Sequence, residues 1–386
     1  MSTGAVIAGA GQTEFSKAAG RSETQLACEA IGAALADAGL TTADVDGLVS
    51  YTIDPVEETE LVRALGIGEV AWSSRVPYGG GGSQGVLLHA AAAVATGVAR
   101  AVVVYRAIKA RSGRRFGRAT GDPSPTSAHS GTTAPQWCFP YGVMTPASWM
   151  ALNAVRYMHT FGVTNEDFGR AIVQLRDYAA KNPAAHFHGR PITLDDHQSS
   201  RWIAEPAIRL FDCCQETDGA VAMVVVAADR AGDSPAPVAI AGAASAGLFE
   251  SEVASDHYLA DLARMDVCEA MARRLFPAAG VGRADVDVAM IYDAFTPILF
   301  MQLEALGFCG PGEARGFVAD GHLGPSGDLP TNTNGGLIGE GYIHGLNLTL
   351  EAVRQIRGTA VNQVPGAEVV LVSAGRTGVI LTSSPS

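Results

Sequence analysis

Two tyrosines stand where apolar runs give way to loops. Tyr292 follows Val288-Ala-Met-Ile and opens Tyr292-Asp293-Ala294-Phe295. Tyr342 lies in the glycine-rich segment Asn332-Thr-Asn-Gly-Gly-Leu-Ile-Gly-Glu-Gly-Tyr342-Ile-His344-Gly. A phenol, with an ordinary pKa of about 10, donates a hydrogen bond, protonates a carbanion or, if its pKa is lowered, takes a proton from an alcohol. A pair of them suits chemistry that moves protons and makes no covalent adduct. Oxyanions formed on the way need preorganised donors, each worth roughly 3 kcal/mol. The backbone N–H groups of Gly335, Gly336, Gly375 and the Gly79–Gly82 run are the candidates. Covalent chemistry fits poorly. Ser83, in Gly82-Ser83-Gln84-Gly85, has no histidine placed by sequence to activate it, and reads instead as the cap of a helix starting near Gln84. His344 reads as a structural or substrate-facing residue of the glycine loop.

Other polar clusters are less specific. His186-Phe-His188 alternates as a metal-binding pair would, yet no cysteine or carboxylate completes a set, so no metal site is expected. Arg106, Lys109, Arg111, Arg114, Arg115 and Arg118 place six cations within thirteen residues, around a Ser-Gly-Arg-Arg core that reads as a loop. Arginine forks bind phosphate oxyanions well, and a partner subunit is the equal alternative for such a run.

The elements that position these residues repeat. Val6-Ile-Ala-Gly-Ala10 returns as Ala239-Ile-Ala-Gly-Ala243. Cys28-Glu-Ala-Ile opens a helical run that closes on Ala43-Asp-Val-Asp46 and the apolar Gly47-Leu-Val-Ser-Tyr51; the same plan recurs from Cys268-Glu-Ala-Met through Ala284-Asp-Val-Asp287 to Tyr292. Each copy then continues through a glycine-rich loop, a helix and a strand: Val86 to Ala95 and Ala101 to Val104, then Leu346 to Ile356 and Val369 to Val372. This is a βαβ pattern, which implies parallel pairing and a covered sheet. Residues 106–205 break it; they are rich in Pro, Ser, Thr, Arg and aromatics, with helical runs near 146–160 and 165–181, and a segment so long must be functional or structured itself. The expected division is 1–230, holding this insertion, and 231–386.

Four of these stretches resemble motifs of the thiolase superfamily, each with its thiolase residue replaced. Gly82-Ser83-Gln84-Gly85 is similar to the nucleophile loop Cys-Ser-Ser-Gly, with Gly82 in place of the cysteine; Tyr292-Asp293-Ala294-Phe295 is similar to Asn-Glu-Ala-Phe or His-Asp-Ala-Phe. The glycine loop resembles the one carrying Gly-His-Pro, with Tyr342 for the histidine, and Ser373-Ala374-Gly375 resembles the late Cys-x-Gly, with Ser373 for the second cysteine. Asp212-Cys-Cys-Gln-Glu-Thr-Asp-Gly-Ala and Tyr178-Ala-Ala-Lys-Asn-Pro-Ala-Ala185 are similar to stretches of sterol-carrier-type thiolases, so the resemblance spans nearly the whole chain. This pattern of replacement resembles the lipid-transfer-type, thiolase-like aldolases of actinobacterial steroid side-chain degradation (cholesterol or bile acid). The resemblance implies an α/β fold of duplicated βαβ halves in five layers, α/β/α/β/α, with an inserted loop domain over the acyl-CoA channel. It implies retro-aldol cleavage of a 17-hydroxy steroid-CoA to a 17-ketosteroid and propionyl-CoA, with Tyr292 and Tyr342 as acid and base and no resident cofactor. Gly82, Ser83, Asp293, Gly336, His344, Ser373 and Gly375 are then site-loop residues, with Asp293 orienting loops and Gly82 leaving room for a bulky acyl chain. Arg111, Arg114 and Arg115 become candidates for the CoA phosphates. A homodimer bound by an OB-fold/zinc-ribbon partner in a heterotetramer is implied as well. The alternatives are a catalytically inactive acyl-CoA- or sterol-binding scaffold and an atypical thiolase or acyltransferase.

Composition narrows the remaining classes. Apolar residues make up 47% of 386 and charged residues 17%, which predicts a large core. A net charge of −12 argues against nucleic-acid binding. The six cysteines form no Cys-x-x-Cys, and adjacent Cys213-Cys214 is poor disulfide geometry, so neither bridges nor zinc are expected. The N-terminus lacks a charged n-region, and the longest apolar stretch is broken by His89 and Arg100, so the chain reads as cytoplasmic with no membrane span.

Overall fold

The structure, a computed structural model, describes residues 3–77, 80–113, 115, 139–248 and 261–383. In chain order the elements are β1 (Ala5–Gln12), α1 (Glu23–Ala38), β2 (Gly47–Tyr51), α2 (Glu58–Leu65), β3 (Trp72–Val76), α3 (Gly85–Ala95) and β4 (Ala101–Lys109). Then come α4 (Pro146–Phe161), α5 (Asn165–Lys181), α6 (Leu194–Ser199), the hairpin β5 (Trp202–Ala204) and β6 (Ile208–Arg209), β7 (Asp218–Ala227) and β8 (Val238–Ser245). The chain closes with α7 (Asp266–Ala279), β9 (Val288–Ile291), α8 (Thr296–Leu306), α9 (Ala314–Ala319), α10 (Gly336–Gly339), α11 (Leu346–Arg357), β10 (Val369–Ser373) and β11 (Thr377–Thr382).

Nine strands hydrogen-bond in the order β3-β2-β4-β7-β1-β8-β11-β10-β9. The order reads the same from either end of the β1–β8 junction: β1 matches β8, β7 matches β11, β4 matches β10 and β2 matches β9. Pairing type follows suit, with β2 parallel to β4 and β9 parallel to β10, while β4–β7 and β10–β11 are antiparallel. The two copies meet where their first strands pair, Val6 opposite Ala239. Helix α1 packs on β1, β4 and β7, and α7 on β8 and β11, whereas α3 and α11 touch strands of both copies. The layers are therefore outer helix, sheet, paired central helices, sheet, outer helix.

Strand parity builds the cores. Along β4, Val102, Val104 and Ile108 point into the central cluster, while Ala101, Val103, Tyr105 and Ala107 point to the outer one under α1. The repeated Ile-Ala-Gly-Ala has a packing cause: a Cβ on Gly9 would lie 2.2 Å from the Ala34 carbonyl oxygen, and one on Gly242 would lie 2.8 Å from Ala279. Only glycine lets each outer helix backbone approach its strand so closely. Helix starts are set locally: Ser22 with Gln25, and Thr164 with Asp167, form capping boxes for α1 and α5. Both helical runs expected in the insertion are present as α4 and α5, but β4 extends through Lys109, so Arg106 and Lys109 are strand residues rather than members of a cationic loop.

Candidate active site

Tyr292 directly follows β9, and its backbone is clamped on both sides. Its N–H donates to the Ser373 carbonyl at 2.8 Å, and its carbonyl accepts from Gln302 Nε2 at 2.8 Å. Gln302 Oε1 in turn accepts from Ser373 Oγ at 2.8 Å. Buried Ser373 therefore braces the tyrosine rather than facing a substrate, and its Oγ also accepts from the Gly375 N–H at 3.2 Å. Asn332, at φ 52°, continues the edge of β9 with its side chain: Oδ1 accepts from Ile291 N at 2.7 Å and Nδ2 donates to Ile291 O at 2.8 Å.

Tyr342 is carried by the loop between α10 and α11. Its N–H donates to Thr217 Oγ1 at 2.9 Å, and it bridges Glu216 beside β7. The loop is held from beneath by buried Glu340, whose carboxylate accepts from Asn334 Nδ2 at 2.5 Å, Asn347 Nδ2 at 2.7 Å and Asn182 Nδ2 at 3.2 Å. The two phenol oxygens lie 2.8 Å apart, with the rings at 65°. Burial pushes Tyr292 well above the ordinary phenol range, and the facing Tyr342 adds to this. Burial also raises Tyr342, while the hydrogen bond from Tyr292 and the charge of Arg106 pull it back. Both phenols are thus neutral donors at rest, and each can accept from the other.

Around the pair, glycine is a steric requirement. A Cβ on Gly80 would lie 2.1 Å from the Tyr292 hydroxyl oxygen, and one on Gly345 would lie 3.0 Å from Tyr292 Cδ2. His344 is buried at φ 51°, with its ring edge-on to Tyr342 at 4.9 Å, and Arg106 Nε donates to its Nδ1 at 2.8 Å. Asp293 is buried, and Oδ1 accepts from Leu337 N at 2.7 Å, which ties the residue after Tyr292 to α10. Its Oδ2 has no hydrogen-bond partner among the described residues, and burial pushes the carboxyl up to about 7. Gly336 is the close neighbour there: a Cβ would lie 2.0 Å from Asp293 Oδ2.

Several sequence expectations need correction. Ser83 does not cap α3: Gln84 is the cap residue, without a side-chain cap bond, and buried Ser83 Oγ accepts from Gln84 Nε2 at 3.1 Å. Gly82 opens no space for an acyl chain, because a Cβ there would meet the Pro77 carbonyl oxygen at 2.4 Å. The N–H groups of Gly335, Gly336 and Gly375 are spent inside their loops, on Asn332 O at 2.8 Å, Asn334 Oδ1 at 3.0 Å and Ser373 Oγ at 3.2 Å. The Gly80–Gly82 turn is what remains of that candidate set; Gly79, Arg114 and Arg118 lie outside the described residues. Arg115 Nε donates to Glu216 Oε2 at 2.7 Å, and the Arg111 N–H donates to Asp218 Oδ1 at 3.0 Å.

Sequence reasoning missed Arg106 as a buried residue, its partner Asp54, the brace Gln302, Glu340 beneath the loop and Lys17. Lys17 Nζ donates to Gln215 Oε1 at 3.0 Å and to Glu216 O at 2.8 Å; burial, then Arg111, lowers it to about 8. The strand parity of Val102, Val104 and Ile108 was the available signal for Arg106, which occupies the same row. Cys214 neighbours the phenols, its N–H donating to Ala294 O at 2.9 Å, and burial holds its thiol well above the ordinary range, a poor nucleophile. The described cysteines are free, and no group of three His, Cys, Asp or Glu able to hold a metal occurs among the described residues. No helix among them is long and apolar enough to cross a membrane.

Known proteins resemble this chain over most of its length. Residues 250–385 match the family described as thiolase C-terminal domain-like. The chain is 51% identical to the steroid side-chain-cleaving aldolase of Thermomonospora curvata, covering 97% of this chain and 95% of that one. It is 50% identical to the 17-hydroxy-3-oxo-4-pregnene-20-carboxyl-CoA lyase of Mycobacterium tuberculosis, with 98% of each covered. The solved Ltp2-ChsH2(DUF35) aldolase superposes with TM-score 0.93 at 48% identity, over 99% of this chain and 98% of that one. Human mitochondrial 3-ketoacyl-CoA thiolase shares the fold alone, at TM-score 0.69 and 15% identity over 98% of each chain. This chain belongs to the steroid side-chain-cleaving aldolases of the thiolase superfamily and is a carbon–carbon lyase acting on a CoA thioester.

Proposed function

We propose that the enzyme cleaves a 17-hydroxy steroid-CoA by retro-aldol chemistry, releasing a 17-ketosteroid and propionyl-CoA, with Tyr292 and Tyr342 moving the protons. The observation that carries this is the 2.8 Å contact between the two hydroxyls, in a site whose nearby thiol is held protonated. One phenol takes the proton of the β-hydroxyl as it passes its own across the 2.8 Å contact to the other phenol; the oxygen lone pair forms the ketone, the Cα–Cβ bond breaks, and its electrons pass to the thioester oxygen as an enolate. The other phenol delivers a proton to Cα. The hydroxyl proton has then moved, in net terms, to carbon, and the contact between the phenols restores the pair. No acyl-enzyme forms, because Gly82 and Ser373 offer no sulfur.

Recognition of the CoA phosphates is assigned to Lys17 and Arg115, which converge on 215–216 beside Tyr342, with Arg111 adjoining. Homodimerisation is assigned to the β3 edge. The other edge, β9, is covered by Pro330 and Asn332, whereas β3 pairs only with β2 among the described residues, and an open edge templates another strand. The Ltp2-ChsH2(DUF35) aldolase supports a second, OB-fold/zinc-ribbon protein in the working assembly.

The test is to incubate the protein, with and without such a partner, with a 17-hydroxy steroid-CoA in deuterated water. Release of a 17-ketosteroid together with propionyl-CoA carrying solvent deuterium at Cα is expected. Binding of the CoA ester without release of either product would establish an inactive scaffold instead.

A further inference from the structure

Arg106 and Asp54 form a fully buried ion pair, with side chains 1% and 0% exposed. Arg106 Nη1 donates to Asp54 Oδ2 at 2.7 Å and to the Ala107 carbonyl at 3.0 Å. Asp54 is further satisfied by the N–H of Val56 at 2.9 Å on Oδ1 and of Ala107 at 3.2 Å on Oδ2. Taking two ions out of water costs several kcal/mol each before their attraction offsets it, and apolar residues of similar volume often stabilise a fold as well or better. Packing alone therefore gives no reason for the pair. Besides lying over the Tyr51 ring at 5.9 Å, the guanidinium reaches the catalytic loop: Arg106 Nε donates to His344 Nδ1 at 2.8 Å.

Arginine has donors only and keeps its charge throughout the accessible pH range. Nδ1 of His344 must then be the acceptor, and the neutral ring carries its proton on Nε2. Burial, and after it the guanidinium, holds the imidazole well below its ordinary pKa. With Nδ1 filled and Nε2 protonated, no ring lone pair is left to receive a proton. This ring stands edge-on to Tyr342, and Gly345 after it abuts Tyr292.

We propose that Asp54 and Arg106 are positioning residues that lock His344 as the neutral Nε2–H tautomer, so that the catalytic loop holds no base in the ring beside the two phenols. The kinetic consequence rests on the aldolase reading above; the tautomer does not.

The experiment combines imidazole nitrogen NMR with steady-state kinetics, on the full chain with its partner where one is needed. The His344 signals are assigned by their loss in His344→Gln. In the parent, an acceptor-type Nδ1 and a protonated Nε2 are expected, unchanged between about pH 5 and pH 8, where an ordinary histidine titrates. The double variant Asp54→Leu/Arg106→Met removes the pair without leaving a lone buried charge. It should give mixed tautomers or a titrating ring, with kcat lower by roughly 10–100-fold and KM within about threefold. Arg106→Lys, which keeps the charge beside Asp54 but loses the Nε–H, should show the same tautomer mixing and serves if the double variant does not fold. A parent ring protonated on Nδ1, or one that titrates in that window, overturns the proposal, as does a folded variant with tautomers mixed and kcat unchanged. A parent that releases no propionyl-CoA sinks the aldolase reading, while its NMR still decides the tautomer.

Discussion

Tyr51 closes β2 and Tyr292 follows β9, at equivalent places in the two copies of the βαβ unit, yet their hydroxyls meet different partners. The Tyr51 hydroxyl donates to the Ser83 carbonyl at 3.0 Å, an acceptor that never gives up a proton. The Tyr292 hydroxyl meets another hydroxyl, Tyr342, at 2.8 Å, and either oxygen can donate. A phenol committed to a carbonyl is a structural fastener. A phenol facing a phenol has a proton that can travel in either direction. The duplicated scaffold supplies two such strand ends, and the loop that follows decides which of them does chemistry.

The sharpest way to break this contrast is to remove each hydroxyl in turn. Tyr292→Phe and Tyr342→Phe should each lower kcat by roughly 10²–10⁴-fold, the usual worth of a positioned acid or base, with substrate affinity largely kept. Tyr51→Phe should cost about 1 kcal/mol of stability, one buried hydrogen bond, and leave kcat within a few-fold of the parent. Single-turnover assays and urea denaturation measure the two quantities. Near-parent turnover in both site variants would end the acid/base assignment.

Gly80→Ala tests the same contrast through sterics. The added methyl would fall 2.1 Å from the Tyr292 hydroxyl oxygen, so the ring or the turn must move and the phenol contact must lengthen. A displacement near 1 Å typically costs about 10²-fold in rate. Turnover at the parent level would show that the phenol spacing is not limiting.

Much of this was legible in the sequence, and the boundary of legibility has a physical cause. The duplication was readable because each copy needs glycine at the same helix crossing, Gly9 and Gly242, and apolar residues at the same strand positions. The tyrosines were readable because they occupy motif positions. What escaped depends on where side chains end up across elements distant in sequence. Arg106 read as one member of a cationic run, because its neighbours in sequence are cations, while its neighbours in space are Asp54 and His344. Gly82 and the glycine N–H donors were misjudged for a similar reason. A glycine's type reveals that something approaches closely, but not whether that is substrate or, as with Pro77, the protein's own backbone.

The basic residues give a smaller effect on a different kinetic parameter. Lys17→Ala with Arg115→Ala should raise KM for the CoA thioester by roughly tenfold and leave kcat nearly unchanged, as expected for binding shared by ground and transition states. A truncated pantetheine thioester, lacking the phosphates, should be insensitive to the change. An unchanged KM with lost partner association would move these cations to the protein interface instead.

The least expected effect concerns the two central helices, which differ as the two tyrosines do. The sequence of α3, Gly-Val-Leu-Leu-His-Ala-Ala-Ala-Ala-Val-Ala, is almost wholly apolar, whereas α11 buries Asn347, Thr349, Glu351 and Gln355 because it must carry the Tyr342 loop. Glu351 Oε1 accepts from Thr333 Oγ1 at 2.8 Å, and burial, then the nearby Glu340, pushes its carboxyl from 4.5 up to about 7. The sign follows from proton binding. Between pH 4.5 and about 7 the folded state holds a proton that the unfolded chain has released, so this group's stabilisation is complete below that window. It is lost as pH rises through the window, by up to about 1.4 kcal/mol per pH unit, and changes no further above it. Glu351→Gln keeps the acceptor for Thr333 but cannot ionise. Its melting temperature should therefore exceed the parent's clearly at pH 8 and by little at pH 5, in runs at matched ionic strength. An equal gain at both pH values would mean that the buried carboxyl does not titrate in this window.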